Sequence, residues 1–165
     1  MKRMFYLLIT VFFLLFVSGC KDESVEIIKP VQLYFCKADV SFQSADGLIA
    51  SEEWEFSGWE NKTLEFLNKY LAGPVSAELI SPFPVNGRIV ELTQNGSTVD
   101  ILFNDNFTRL SPNELTTACA CISLTVFDLL NAETINFEIA SLDSENNLIT
   151  MSRSTLLLSD GEEIS

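Results

Sequence analysis

The sequence predicts an α+β domain in which two helices pack on one face of a mostly antiparallel or mixed sheet. Three observations predict this class. Short stretches alternate apolar and polar residues, two longer stretches repeat their apolar residues at helical spacing, and an Asn-Gly pair separates two of the strand-like stretches. The predicted order is strand, strand, helix, strand, strand, helix, strand, strand.

Two strands are predicted before the first helix. Residues 31–36 carry apolar side chains at alternate positions, which is the pattern of a half-buried strand. Residues 48–56 alternate in the same way, although Glu52 interrupts their apolar face. The Asp46-Gly47 pair indicates a turn in the loop between the two strands.

The first helix is predicted at residues 60–72, where the spacing of the apolar residues changes. Leu64, Leu67 and Leu71 recur at i, i+3 and i+7 and therefore share one face of a helix. Gly73-Pro74 directly after them indicates where the helix ends.

A β-hairpin is predicted in the middle of the chain. Residues 75–86 lead to it as a rigid connection, because they contain Pro82-Phe83-Pro84. Residues 88–94 and 98–103 are the two strands, and the Asn95-Gly96 pair between them is a strong turn signal.

The second helix is predicted to begin with a capping box. Ser111 occupies the cap, Pro112 the first helical position and Glu114 the position three after the cap. Because Leu124 and Phe127 lie off the main apolar stripe, the helix is expected to be buried on more than one side. The stripe consists of Leu115, Ala118, Cys119, Ile122, Val126, Leu129 and Leu130.

Two further strands complete the predicted domain. Residues 134–139 alternate clearly, and a polar turn leads to a last strand near 148–157. The sequence thus predicts a single domain over residues 31–158, followed by an acidic tail at 159–165.

The N-terminal region predicts export and lipid attachment. Lys2 and Arg3 precede an apolar run of 14 residues, Met4–Val17, so residues 1–19 have the pattern of a secretory signal peptide, and the apolar run is too short to span a membrane. Val17-Ser18-Gly19-Cys20 resembles the lipobox of bacterial lipoproteins, in which the cysteine is acylated, for example with palmitate, after cleavage. An ordinary signal peptide with a cysteine near its cleavage site is the alternative. Residues 20–30 are then a polar tether.

The charge limits the partners that the chain can have. The sequence contains 10 basic and 23 acidic residues, and the eight basic residues beyond Cys20 leave that part with a charge of −15. This balance argues against nucleic acid and against docking on anionic lipid through basic patches. Membrane attachment is therefore expected to come from acylation, and a cationic partner or calcium is permitted.

The residue types present argue against an enzyme and against a cofactor. The chain has no histidine, which removes the commonest general base and most zinc sites. It also lacks the linear signatures of serine hydrolases and P-loop proteins. A hydrolase that works with carboxylates alone is the remaining catalytic alternative.

Three cysteines remain besides Cys20. Cys119 and Cys121 are two residues apart in a predicted helix, so they point about 200° apart and cannot bind one metal ion together. The favoured interpretation is that they and Cys36 are small buried hydrophobic residues. A disulfide from Cys36 to either Cys119 or Cys121 is left open for an exported protein.

Six segments together resemble the GerMN domain family. The resemblance extends from Val31 to about Ile139. The segments are Val31–Phe35, Leu71-Ala72-Gly73-Pro74, Ser81-Pro82-Phe83-Pro84, Gly87-Arg88-Ile89, Gly96–Phe103 and Ile135–Ile139. Most of the matching residues are glycine, proline and apolar residues, which determine a fold rather than a reaction.

The resemblance implies a lipid-anchored, non-catalytic assembly domain on the extracytoplasmic face of the cell membrane. Members of the family are linked to sporulation and germination, and their fold is similar to ring-building modules of envelope complexes. Envelope proteins are therefore the expected partners. The alternative is a lipoprotein, unrelated to sporulation, that binds peptidoglycan or another ligand.

Aromatic residues at the junction of the second strand and the first helix are the predicted interface. Trp54, Phe56 and Trp59 form this cluster, and they would be strong contact residues if exposed. The alternative interpretation is that Trp54 and Phe56 belong to the core. Edge strands of the sheet are a second expected contact surface.

Overall fold

Seven strands and three α-helices make up the described part of the chain. A computed structural model describes residues 28–39, 47–57, 62–141 and 148–156. The strands are β1 (Ile28–Lys37), β2 (Ile49–Ser57), β3 (Leu79–Ile80), β4 (Ile89–Asn95), β5 (Thr98–Phe103), β6 (Thr134–Ile139) and β7 (Ile149–Ser152). The helices are α1 (Thr63–Tyr70), a 3₁₀ helix (Asp105–Arg109), α2 (Pro112–Leu130) and α3 (Arg153–Leu156). The predicted α+β class is confirmed.

The strands divide between two sheets rather than forming one. The first sheet has the order β2-β1-β3 and is antiparallel. The second has the order β4-β5-β6-β7 and is mixed, since β5 and β6 run parallel while the other pairs are antiparallel. The prediction of a single sheet is corrected here, because alternation along a strand does not specify which strand it pairs with.

The central hairpin forms where it was predicted, with its turn displaced by one residue. Asn95 is the last residue of β4 and pairs with Thr98, so Gly96 and Ser97 form the loop. Gly96 has a φ of 64°, and Ser97 is not among the residues with positive φ. This combination fits a type II′ turn, in which glycine occupies the first central position.

Helix α1 is shorter than the predicted span 60–72. It ends at Tyr70, and Gly73 adopts a φ of 115° directly beyond it. The N–H of Gly73 donates to the carbonyl of Tyr70 at 3.0 Å. Glycine at this position avoids the steric strain that a side chain would meet at positive φ.

Helix α2 is the central helix of the fold. Its capping box is present: the backbone N–H of Ser111 donates to the Glu114 carboxylate at 2.8 Å, and the Ser111 hydroxyl accepts from the Glu114 N–H at 3.4 Å. By length and composition α2 could span a membrane, yet half of its apolar window is buried inside the domain. Burial around the helix confirms the prediction that it packs on several sides. The buried residues are Ala118–Ser123 and Thr125–Phe127.

The core lies between α2, α1 and the inner faces of both sheets. In one part, the rings of Phe35, Tyr70 and Phe83 pack edge to face. In another, Phe103 stacks on Phe107 of the 3₁₀ helix, with ring centroids 3.8 Å apart. The edge-to-face arrangement is one of the favoured geometries of aromatic pairs.

A side-chain amide joins α1 to the second sheet. Asn68 donates to the carbonyl of Ile89 at 3.0 Å and accepts from the Ile89 N–H at 2.9 Å. It therefore satisfies both backbone groups of the first residue of β4, much as a neighbouring strand would. Helix α1 is thus joined to the second sheet by this polar contact as well as by apolar packing.

Two boundaries differ from the sequence prediction. β1 begins at Ile28, so the last residues assigned to the tether belong to the sheet. The last strand ends at Ser152 and is followed by the short helix α3, whereas a strand to residue 157 was predicted. Arg153, the first residue of α3, forms an ion pair of 3.3 Å with Asp128 of α2, which favours the turn of the chain there.

Candidate interaction surface

The aromatic residues of β2 lie against helix α1. Trp54 pairs with Val31 of β1, which is 3% exposed, so the indole lies on the face of the sheet that points to the core. Phe56 is on the same face two residues later. Both rings pack edge to face on Phe66 of α1, with centroid separations of 6.4 Å for Trp54 and 4.8 Å for Phe56.

A lysine completes this aromatic cluster. The Nζ of Lys69 lies 5.4 Å from the centroid of the Trp54 ring, within the range of a cation–π contact. Phe66 and Lys69 are three residues apart and therefore project from the same side of α1. The result is an indole held between a phenyl edge and an ammonium group, with part of its surface accessible to solvent.

Glu52 accounts for the polar interruption in the apolar face of β2. Its carboxylate accepts hydrogen bonds from the backbone N–H of Val75 at 2.8 Å and of Ser76 at 2.9 Å. It also accepts from the indole N–H of Trp54 at 2.8 Å. The carboxylate thus ties β2 to the turn that follows α1 and fixes the orientation of the Trp54 ring.

These contacts stabilise the charged form of Glu52. Partial burial raises the pKa of Glu52, but the hydrogen bonds from Val75, Ser76 and Trp54 together outweigh it, and the pKa is lowered from its ordinary value. The group is therefore a carboxylate at neutral pH. This carboxylate works as an acceptor for backbone donors, and such a role needs no proton transfer.

We call the space between β2 and α1 the aromatic groove. It has a volume of about 390 Å³, and its residues are Trp54, Glu55, Phe56, Lys62, Glu65, Phe66 and Lys69. Apolar rings form its floor, while two acidic and two basic side chains form its rim. Central aromatic residues surrounded by charged residues are typical of protein-binding surfaces.

The structure brings together two of the three predicted interface residues. Trp54 and Phe56 share the aromatic groove and are half-buried, so they contribute to packing and also reach the surface. Trp59 lies outside the described residues, as do Cys20 and the lipobox residues Val17, Ser18 and Gly19.

Three residues that position the rings of the groove, Phe66, Lys69 and Glu52, were not among the predicted interface residues. Phe66 and Lys69 carry a signal in their i, i+3 spacing on a helix that follows an aromatic strand. The role of Glu52 had no such signal, because two of its three partners are backbone groups more than 20 residues away.

The second sheet exposes a polar face. Asn136 donates to Asp100 at 2.8 Å and accepts from the Thr150 hydroxyl at 2.9 Å, so three strands are linked side by side. Glu91 and Glu138 line a shallow depression of about 190 Å³ next to this ladder. Among the described residues, no group of three or more His, Cys, Asp or Glu side chains is placed to hold a metal ion.

The fold resembles that of solved GerMN domains. The first GerMN domain of the sporulation protein GerM from Bacillus subtilis superimposes with a TM-score of 0.57 and 14% sequence identity, covering 78% of this chain and 98% of that domain. The tandem GerMN domains of the same protein superimpose with a TM-score of 0.52 and 12% identity, covering 76% of this chain. This chain spans 43% of that tandem structure.

These similarities establish the fold. No protein-family model matches the sequence. A search of curated proteins also found no match. The expectation of a GerMN-type fold, made from the six sequence segments, is nevertheless confirmed by the arrangement of strands and helices.

Proposed function

We propose that this chain is a lipid-anchored interaction module on the extracytoplasmic face of a bacterial cell membrane, with a role in sporulation or spore germination. The GerMN-type fold is the observation that carries the proposal, because two solved structures similar to this chain are GerMN domains of the sporulation protein GerM. The lipobox-like segment that ends at Cys20 supports the anchor.

The aromatic groove is the proposed contact surface. Its rings are already positioned by Phe66, Lys69 and Glu52, so little side-chain freedom remains to be lost when a partner binds. Its rim carries both signs of charge, which suits a protein partner with a polar periphery around an apolar contact.

Capture of envelope proteins tests this function. The tagged full-length chain is solubilised from membranes after chemical cross-linking, and bound proteins are compared between wild type and Trp54→Ala. We expect the cross-linked envelope proteins to decrease at least about tenfold, as for loss of a central aromatic contact. Val85→Ala is the matched control, because Val85 is 79% exposed and lies away from the groove.

A second variant separates binding from folding. Lys62→Glu changes the charge of an exposed rim residue without removing a packed ring. It should weaken capture while leaving the melting temperature unchanged. Equal capture by wild type, Trp54→Ala and Lys62→Glu would contradict the groove as contact surface. Retention of the chain on purified peptidoglycan sacculi, without protein partners, would favour the wall-binding alternative.

A further inference from the structure

Cys36 and Cys121 meet in the core between β1 and α2. Both side chains are buried, Cys36 at 7% exposure and Cys121 at 0%. Each thiol affects the other: Cys121 lowers the pKa of Cys36, and Cys36 raises the pKa of Cys121. Cys36, Cys119 and Cys121 are all free thiols in the structure.

The path of the backbone explains why these two cysteines meet. β1 and α2 run in opposite directions, since Lys29 near the start of β1 bonds the carbonyl of Asp128 near the end of α2. Farther along, the N–H of Tyr34 donates to the hydroxyl of Thr125 at 3.2 Å. These two contacts fix the register of the strand against the helix.

Both cysteines lie at similar distances along their elements from the contact of Tyr34 with Thr125. Cys36 lies two residues farther along β1, a rise of about 6.6 Å. Cys121 lies four residues back along α2, a rise of about 6 Å on the same face of the helix. The strand and the helix therefore deliver the two thiols to the same level of the core.

Tyr70 of α1 reaches the same part of β1. Its hydroxyl donates to the carbonyl of Tyr34 at 2.5 Å. Burial, and the nearby thiols of Cys121 and Cys36, raise the pKa of Tyr70. A side chain of α1 is thus bonded to β1 two residues before Cys36.

We propose that Cys36 and Cys121 form a disulfide bond that joins the first sheet to the central helix. The occurrence of this bond in cells rests on the proposed extracytoplasmic location, where thiol oxidation is favoured. Such a bond has sulfur atoms about 2.05 Å apart and Cβ atoms about 3.5–4.5 Å apart, which side chains at the same level of a packed strand and helix can reach.

Cys119 is not the partner. It is two residues from Cys121 and points about 200° away around the helix. Its pKa is raised to about 12 by burial. The sequence left open whether Cys36 pairs with Cys119 or with Cys121. The register of β1 against α2 selects Cys121.

Oxidation proceeds by exchange with a disulfide-bearing oxidant. The Cys36 thiolate attacks one sulfur of that disulfide, and the other sulfur leaves as a thiolate that takes up a proton. The Cys121 thiolate then attacks the Cys36 sulfur and displaces the second thiol. Two protons and two electrons pass from the cysteines to the oxidant, which ends as two thiols. The thiol of Cys121 lowers the pKa of Cys36, which suits Cys36 as the first attacking group.

Peptide mapping tests the proposal on the full-length chain in detergent. The chain is unfolded in urea, refolded with reduced and oxidised glutathione and alkylated under denaturing conditions, and a tryptic digest is analysed without reduction. We expect the peptide that ends at Lys37 to be linked to the peptide Leu110–Arg153, with a mass about 2 Da below the sum of the two.

Variants distinguish the two cysteines of that second peptide. Cys119→Ala should retain the linked peptides, and Cys121→Ala should lose them. Oxidation should also raise the melting temperature of wild type and Cys119→Ala by about 5–15 °C, with no rise in Cys121→Ala.

Two results would overturn the disulfide. One is alkylation of Cys36 in the wild type after oxidation, and the other is a link that persists in Cys121→Ala. Neither result depends on where the protein is located. If the Cys36–Cys121 disulfide forms in oxidised glutathione but both thiols are reduced in cells, the result would support the pairing and count against the proposed extracytoplasmic location.

Discussion

Glu52 shows how one polar residue can organise a surface from an apolar position. It pairs with Leu33, a fully buried residue of β1, and would leave a charge in the core if it had no partners. Two backbone N–H groups and the Trp54 indole satisfy its carboxylate instead. The residue therefore stabilises the turn after α1 and the aromatic groove together.

Glu52→Gln should destabilise the domain by about 1–3 kcal/mol at pH 7, because a neutral amide has one acceptor oxygen and its NH₂ group faces a backbone donor. Urea denaturation measures this change. Glu55→Gln, at an exposed position on the same strand, should change the free energy of unfolding by less than about 0.5 kcal/mol.

The effect of Glu52 should depend on pH. Because its folded-state pKa lies below the unfolded value of about 4.5, its stabilisation is complete above that value and is lost as the pH falls through the folded pKa. The difference between wild type and Glu52→Gln should therefore shrink as the pH is lowered from 7 to below 4. A difference that stays constant over this range would contradict the assignment.

Among the elements, those with purely local signals were predicted well. The capping box of α2 and the Gly96 turn depend on residues a few positions apart, and both are present. The short strand β3 was missed because its two residues, Leu79 and Ile80, carry no period. They pair with β1 only because the connection after α1 returns to that strand.

Ser111→Ala should destabilise the domain by about 1 kcal/mol, because the cap satisfies N–H groups at the start of α2 that have no partner within the helix. Thermal denaturation followed by circular dichroism measures the effect. Asn113→Ala, at an exposed position in the first turn, is the control and should have little effect. Equal losses in both variants would mean that the cap has no specific role.

For the whole molecule, the division into two sheets was beyond the sequence prediction. The alternating strands identify their own inner faces but not their neighbours, and the parallel pairing of β5 with β6 depends on the course of α2 between them. The groove was predicted in part. Trp54 and Phe56 were predicted because they are aromatic residues at the junction of a strand and a helix. The role of Glu52 is visible only in the tertiary structure.

The proposed anchor concerns the whole molecule, because a lipid on Cys20 would determine where the domain is presented. Cys20→Ala should abolish labelling of the chain by a palmitate analogue and release the protein from the membrane fraction. Ser18→Ala keeps the cysteine and a small residue before it, and should still be labelled. Persistent labelling of Cys20→Ala would show that the proposed attachment site is wrong.

The side of β1 that faces away from β2 affects how the protein behaves at high concentration. Residues 31–36, VQLYFC, combine high strand propensity with no charge, which is the composition of segments that aggregate when exposed. In the folded domain β2 pairs with one side of this strand, while Thr125 and β3 occupy positions on the other. These contacts protect the folded domain from strand-to-strand polymerisation at high protein concentration for as long as α2 stays in place.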